Sequence, residues 1–282
     1  ASRLTKYQQC KYSFYLDYIQ HAAKLPSLYL SYGIALHSCV EDLTPLIWKA
    51  GHLRERVSHP PTDHNIMAVL DSVASGTETD VLRHILRAHW NPDEYQPATL
   101  EKTMKLRYYN GVLNFVRREL ERVFEEKERL QPMHIESEFE IPGEVMVGNS
   151  TEKYLLRGVF DRIEGKNGDE AVIVDYKSNP SNKEMNEKSF ALSVKTYYGL
   201  QTACYWMAFQ TLYGKEPQSM RFENIESGVQ YSPELKSVDT NKVNDSVKRY
   251  IQGIKEGDFT PCGNEFQCSR CEFRNTCKYR TA

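Results

Sequence analysis

The chain has 282 residues, 40% hydrophobic and 26% charged, with a formal net charge of −2. This reads as a soluble globular protein able to bury a full core in one large domain or two, and it speaks against a protein that coats nucleic acid through bulk charge, though not against a local basic cleft. No apolar run approaches membrane-spanning length and no charged-then-apolar leader opens the chain, so an intracellular protein (cytoplasm, nucleoid or nucleus) with no membrane partner is expected. Beginning at Ala1 rather than Met, the chain reads as a processed product, an expressed fragment or a domain of something longer.

Over 3–19, Leu4, Tyr7, Cys10, Phe14 and Tyr18 recur every three or four residues, which predicts a helix. Pro26 falls in a loop, and a second helix is expected over about 32–49. On it His37 and Glu41 are i, i+4 neighbours on one face, and imidazole is a good ligand for a divalent metal. Residues 51–61 read as a connection. Two or three further helices are expected over 65–130, the last a long, densely charged one over 98–130 whose mixed charge predicts a solvated face. Pro132 ends the helical block.

Strands follow at 135–141, 153–164 and 170–178, with a turn rich in Gly, Asn and Asp over 165–169 and a polar loop over 181–187. A strong helix is expected over 193–213, stopped by Gly214 and Pro217. One or two strands over 219–232 and a helix over 239–256 precede a short, Cys-rich, basic tail. The order strand–strand–strand–helix–strand predicts a small α/β core preceded by a helical insertion and flanked by both termini.

The run Ala171-Val172-Ile173-Val174 ends abruptly in Asp175-Tyr176-Lys177, and the run upstream ends in Gly158-Val159-Phe160-Asp161. Strand side chains alternate faces, so Asp175 and Lys177 point the same way. If the two runs are neighbours, Asp161, Asp175 and Lys177 converge at one sheet edge. Phosphodiester hydrolysis needs a nucleophilic water, charge neutralisation at the phosphate and help for the leaving oxygen. Mg²⁺ supplies these and prefers carboxylate and water oxygens. Asp161 and Asp175 suit it as ligands, the Tyr176 carbonyl can add a third oxygen, and Lys177 can orient the water or neutralise developing charge. On the following helix Gln201 and Tyr205 share a face at i, i+4.

Seven cysteines are an odd number and no secretory signal precedes them, so a disulfide framework is the weaker reading. Cys268, Cys271 and Cys277 place three soft ligands within ten residues. The fourth ligand has candidates in Cys10, Cys39, Cys204 and Cys262. Such thiolates hold zinc or an iron–sulfur cluster, and three close cysteines with a remote one suit a 4Fe–4S cluster better than zinc.

Taken in order, these motifs resemble the RecB-like branch of the PD-(D/E)xK nucleases, in the iron–sulfur subgroup that includes the AddB nuclease domain, CRISPR adaptation nucleases and Dna-two-type nucleases. The resemblance covers nearly the whole chain except about 50–130. Gly33 to His37 is similar to the motif carrying a metal-binding His, Gly158 to Arg162 to the strand with the first acid, Asp175-Tyr176-Lys177-Ser178 to the second acid and catalytic lysine, and Gln201 with Tyr205 to the QxxxY motif. Cys268, Cys271 and Cys277 match the C-terminal cluster ligands, and the resemblance selects Cys10 as the fourth. There are departures. Phe160 stands where the superfamily has its proline, Lys11 follows Cys10 where Pro is common, and Cys262 is an extra thiol.

The resemblance implies an α/β, restriction-endonuclease-like mixed sheet flanked by helices. The whole of 1–282 is then one nuclease domain, with an iron–sulfur collar at 1–20 and 258–282, a helical region at 33–131 and a catalytic core at 132–257. It implies a Mg²⁺- or Mn²⁺-dependent DNA nuclease, an exonuclease preferring single strands, in repair, recombination or replication, with a helicase or recombination protein as partner. His37, Asp161, Asp175 and Tyr176 would bind metal, and Gln201 and Tyr205 would orient Lys177. The alternative is an inactive DNA-binding module of a helicase–nuclease complex.

Overall fold

The computed structural model describes every residue except 1, 26, 52–65, 74–79, 96, 126–130, 166–169, 180–184, 235, 237 and 282. The loop at Pro26, the connection over 52–61, the far end of the long charged helix, the turn at 166–169 and the polar loop at 181–184 lie outside the described residues.

The N-terminal helix divides in two, α1 (Ser2–Gln9) and α2 (Lys11–Tyr18). The break is Cys10, whose extended backbone makes it the N-cap of α2, its Sγ accepting the Ser13 N–H at 3.4 Å. Four helices follow: α3 (Leu28–Gly51), α4 (Ile66–Asp71), α5 (Val81–Ala88) and α6 (Ala98–Glu125), with a 3-10 turn at Pro92–Glu94.

The chain then forms a five-stranded sheet ordered β1-β2-β3-β4-β5. β1 (Gln131–Val147) and β2 (Ser150–Gly165) make one long antiparallel hairpin. Its turn is Gly148-Asn149, with Gly148 at φ +59, a conformation that costs glycine least. Gly158 is required for another reason: a Cβ there would meet the Phe139 ring at 2.4 Å. β3 (Val172–Lys177) pairs antiparallel with β2 and parallel with β4 (Ser219–Asn224), and β5 (Gln230–Tyr231) closes the edge. The β3–β4 crossover contains two helices, α7 (Glu187–Tyr197) and α8 (Gly199–Tyr213), where the sequence predicts one. A reciprocal Asn186–Ser189 capping box starts α7 and Tyr198 separates the pair. α9 (Asn241–Glu256) and the short α10 (Glu265–Arg270) complete the chain.

β3 reads as a continuous apolar run because both its faces are buried. Val172, Val174 and Tyr176 face a core built with α3 to α6, while Ala171 and Ile173 face one built with α7 to α9. The expected helical insertion is therefore a full layer of the fold, packed on the back of the sheet. The expected solvated face of α6 is present at Lys102, Thr103, Asn110 and Glu121, but part of the helix's charge points inward. Glu119 is buried, and with Arg122 it joins Arg162 and Glu164 of β2 and Arg221 of β4 in one ion network. The pairing of charges across helix and sheet is invisible to a reading of α6 alone.

The two ends of the chain meet. Tyr7 donates to the Asp258 carbonyl at 2.8 Å, the Leu25 N–H donates to the Glu272 carbonyl at 2.9 Å, and Lys6 is ion-paired with Asp17 and Glu272.

Candidate active site

Asp161 lies on β2 and Asp175 on β3, beside one another where the two strands part. The Tyr176 N–H donates to Asp161 Oδ2 at 2.7 Å, which fixes the first carboxylate against the second strand. The Tyr176 ring points the opposite way, as strand alternation requires, and its hydroxyl accepts from Arg162 Nη1 at 2.8 Å. Asp175 and Lys177 share a face and form an ion pair.

Gln201, on α8, ties this face together. Its Nε2 donates to Asp175 Oδ1 at 2.8 Å, and its Oε1 accepts from Lys177 Nζ at 3.1 Å. The Tyr205 hydroxyl lies 3.0 Å from the same Nε2. The lysine ammonium also sits over the Tyr198 ring, 4.3 Å from its centroid. One amide thus reads acid, base and phenol at once, because i, i+4 spacing places Gln201 and Tyr205 on the helix face turned to the strand.

His37, from α3, approaches from the other side, with Nδ1 at 3.6 Å from Asp161 Oδ2. A third group joins them. Glu136 of β1 supplies a carboxylate oxygen that lies, with His37 and Asp161 donors, in a cluster whose ligand atoms are all within 4.8 Å of one another. Sequence reasoning misses Glu136 because the alternating run carries Glu136, Glu138 and Glu140 alike, and spacing alone does not single one out. Asp175 is not a member of that trio. It is committed to Lys177 and Gln201, though its charge is felt by all of the trio. Glu41, the i, i+4 neighbour of His37, is exposed, and its charge acts on Glu136.

The electrostatics follow from crowding acids in a dry place. Burial, then the neighbouring Asp175, raises the Asp161 carboxyl well above the usual carboxylate range. Burial with the charges of Glu41 and Asp175 raises Glu136 to about 7. Burial lowers His37, opposed by Asp175 and by a hydrogen bond to the Tyr176 backbone. Burial also works against the charged lysine, but Asp175 and Asp161 outweigh it and Lys177 is raised. One imidazole nitrogen and two or three carboxylate oxygens, mutually repelling when ionised, are a donor set suited to a hard divalent cation.

The cysteines divide into two groups. Cys39 and Cys204 are fully buried, one in each core, and Cys39 Sγ lies 2.7 Å from the Tyr108 hydroxyl. Cys10, Cys262, Cys268, Cys271 and Cys277 instead line a single cavity between α1, α2 and the C-terminal tail. Cys262, raised first by burial, feels both Cys10 and Cys268, and Cys271 feels Cys10 and Cys277. Among the described residues no three of these thiols come within 4.8 Å of one another.

A mixed sheet flanked by helices, with two acids and a lysine where two central strands part, defines a nuclease of the restriction-endonuclease-like fold. The chain belongs to the PD-(D/E)XK nuclease superfamily, whose family model matches residues 1–278, the helical layer included. Nucleases of this superfamily act on DNA and generally use Mg²⁺ or Mn²⁺. Among curated proteins no relative matches. A solved structure described as "Crystal structure of SSO0001" aligns over 100% of this chain and 97% of its own at 13% identity, with a TM-score of 0.35, too low a likeness to bear on the site.

Proposed function

We propose that this chain is a Mg²⁺- or Mn²⁺-dependent deoxyribonuclease, an exonuclease preferring single strands, that acts inside the cell in DNA repair, recombination or replication alongside a helicase or recombination partner. The observation that carries the hydrolytic reading is the Gln201 amide bound at once to Asp175, Lys177 and Tyr205. A lysine clamped between an acid and an amide, next to a His–Glu–Asp cluster, supports a site at which it would meet a phosphate and its attacking water. Strand preference and partner rest on the resemblance of the motifs.

In this reading His37, Asp161 and Glu136 would hold the metal, with the Tyr176 carbonyl and an Asp175 that exchanges its Lys177 contact for the ion as further oxygens. When bound, the metal supplies charge neutralisation at the phosphate and a more acidic water. Lys177 would orient an attacking water and offset negative charge as it builds on the phosphate oxygens. Gln201 fixes the lysine and the Asp175 carboxylate in one geometry, and Tyr205 fixes Gln201.

Cys10, Cys268, Cys271 and Cys277 would hold a 4Fe–4S cluster as a structural staple, which would make residues 1–20 and 258–282 one collar around the core. Tetrahedral zinc, with Zn–S near 2.3 Å, would bring its thiolates to about 3.8 Å from one another. Three close cysteines with a remote one suit the cluster better than zinc. The test is cleavage of end-labelled single strands, 5′ or 3′, with Mg²⁺ and with Mn²⁺, beside Lys177→Ala. Cutting by the wild type and none by the variant supports the reading. Cutting that survives the substitution overturns the site.

A further inference from the structure

The cavity of about 1280 Å³ that holds the cysteines does not end there: it reaches Tyr197, Tyr198 and Gln201 at the active centre. Among the described residues five aromatic side chains stand largely exposed: Tyr29 (61%), Tyr197 (60%), Tyr213 (37%), Phe266 (62%) and Tyr279 (45%). Four of these, all but Tyr213, line this one cavity. Exposed aromatics collected in one place rather than scattered mark a binding surface.

Its charge agrees. The chain carries a net −2, yet the cavity is lined by Lys6, Arg270, Arg274 and Arg280 against a single acid, Glu272. Lys6 is paired with Asp17 and Glu272, while the three arginines form no ion pair among the described residues. The Arg270 guanidinium lies 3.7 Å over the Phe266 ring, so cation and aromatic face are presented together.

We infer that this groove is the track along which a single strand of DNA reaches the active centre, its bases stacked on Tyr29, Tyr197 and Phe266 and its phosphates met by the arginines. Deepening the nuclease reading on which it rests, the inference assigns the strand preference to named side chains. Alternating aromatic faces and cations are how proteins hold unpaired strands without reading sequence, since every base has a π-face but in a duplex that face is already stacked. The end of the track is defined by Tyr198, which carries the Lys177 ammonium on its ring.

The test is binding without cutting. The full chain, purified without oxygen so that the cysteine site is left intact, is titrated in EDTA with a fluorescent oligo-dT and with a duplex of equal length, read by anisotropy. The single strand is expected to bind at least tenfold tighter. Tyr29→Ala, Tyr197→Ala and Phe266→Ala should each weaken it by about 5- to 150-fold, and Tyr29→Phe should keep wild-type affinity. A Phe266→Trp variant should lose indole fluorescence on adding oligo-dT, a readout that needs no destabilising change. Equal binding to duplex, alanine variants that bind as wild type, or an unquenched indole overturns the inference. Since nothing is cut in EDTA, failure here leaves the nuclease reading standing, and failure of cleavage in metal leaves this result standing.

Discussion

Glu136 and Asp161 face each other at an unpaired step of the β1–β2 ladder, close to the register shift between Pro132 and His134. β1 and β2 pair at Ile135↔Arg162 and at Ser137↔Phe160, but not between. Glu136 sits there at φ +46, a region that strains a non-glycine backbone. On one side of the step Phe139 and Phe160 face the α7–α9 core; on the other, Arg162 and Glu164 face α6. The strand changes phase here, and that change delivers both carboxylates to the His37 side.

If Glu136 is a metal ligand, Glu136→Gln should weaken Mn²⁺ binding by about 10- to 100-fold, the scale seen when support for a metal site is removed. Isothermal titration calorimetry of the full chain measures this without reference to activity. Unchanged affinity would return Glu136 to a purely structural role.

The same carboxyl sets a pH dependence. Its folded pKa, about 7, lies above the ordinary glutamate value of about 4.5. Between those values the folded protein holds a proton that the unfolded chain has released, so stability falls as pH rises through that window. Asp161, raised also, works in the same direction. Metal-free Glu136→Gln should therefore match wild type near pH 4 and exceed it at pH 8, by ~1–2 kcal/mol after allowing for solvent screening of a half-buried group. Urea melts at the two pH values in EDTA check this, and added Mn²⁺ should reverse the order.

Much of this arrangement was legible in the chain. Strand alternation alone put Asp175 and Lys177 on one face, and i, i+4 spacing put Gln201 and Tyr205 on another that meets it. What stayed hidden depends on pairing between distant segments. Glu136 is one glutamate of three in its strand and is selected only by the ladder defect opposite Asp161. Glu119 and Arg122 look like a solvated stripe until Arg162, Glu164 and Arg221 are set across from them. The division of the crossover into α7 and α8 was hidden for a local reason: the apolar pattern runs on through Tyr198, and only the Asn186–Ser189 cap reveals the earlier start.

Lys177→Ala is expected to lower cleavage by roughly 10²- to 10⁴-fold while leaving strand binding in place. Gln201→Ala should lower kcat less than the lysine change, because Asp175 still pairs with Lys177, while Gln201→Glu should retain the contact to the ammonium but oppose Asp175. Single-turnover rates on one labelled strand rank the three. A Gln201→Ala enzyme as fast as wild type would remove the amide from the mechanism.

The buried ion network predicts a stability effect behind the sheet. Arg162 is fully buried and donates to Glu119 at 2.9 Å, with Glu164 at 2.5 Å. Glu119→Ala leaves that guanidinium short of a partner and should cost about 3–5 kcal/mol. Replacing both, as Arg162→Met with Glu119→Leu, should recover most of the loss, because the desolvation of two charges is removed with their attraction. Denaturant melts of the two variants decide. A small loss for Glu119→Ala would mean that water or Glu164 alone satisfies the arginine.

The cysteine site makes the sharpest separation between ligands and bystanders. Anaerobically purified protein should carry about four iron and four sulfide per chain if the group is a 4Fe–4S cluster. Cys10→Ser, Cys268→Ser, Cys271→Ser and Cys277→Ser should each lose it, whereas Cys262→Ser should retain it. Cys10 and Cys268 are separated by nearly the full chain, so cross-linking them closes a very long loop. The chain-entropy picture gives roughly 5 kcal/mol for such a closure, and chelation should lower the melting temperature accordingly. The Cys262 thiol neighbours those of Cys10 and Cys268. Retention of iron by Cys10→Ser and its loss in Cys262→Ser would show that the extra thiol, not the N-terminal one, closes the site. The staple would then join the tail to itself, and chelation should leave the α1–tail contacts of Tyr7 and Lys6 to hold the ends together unaided.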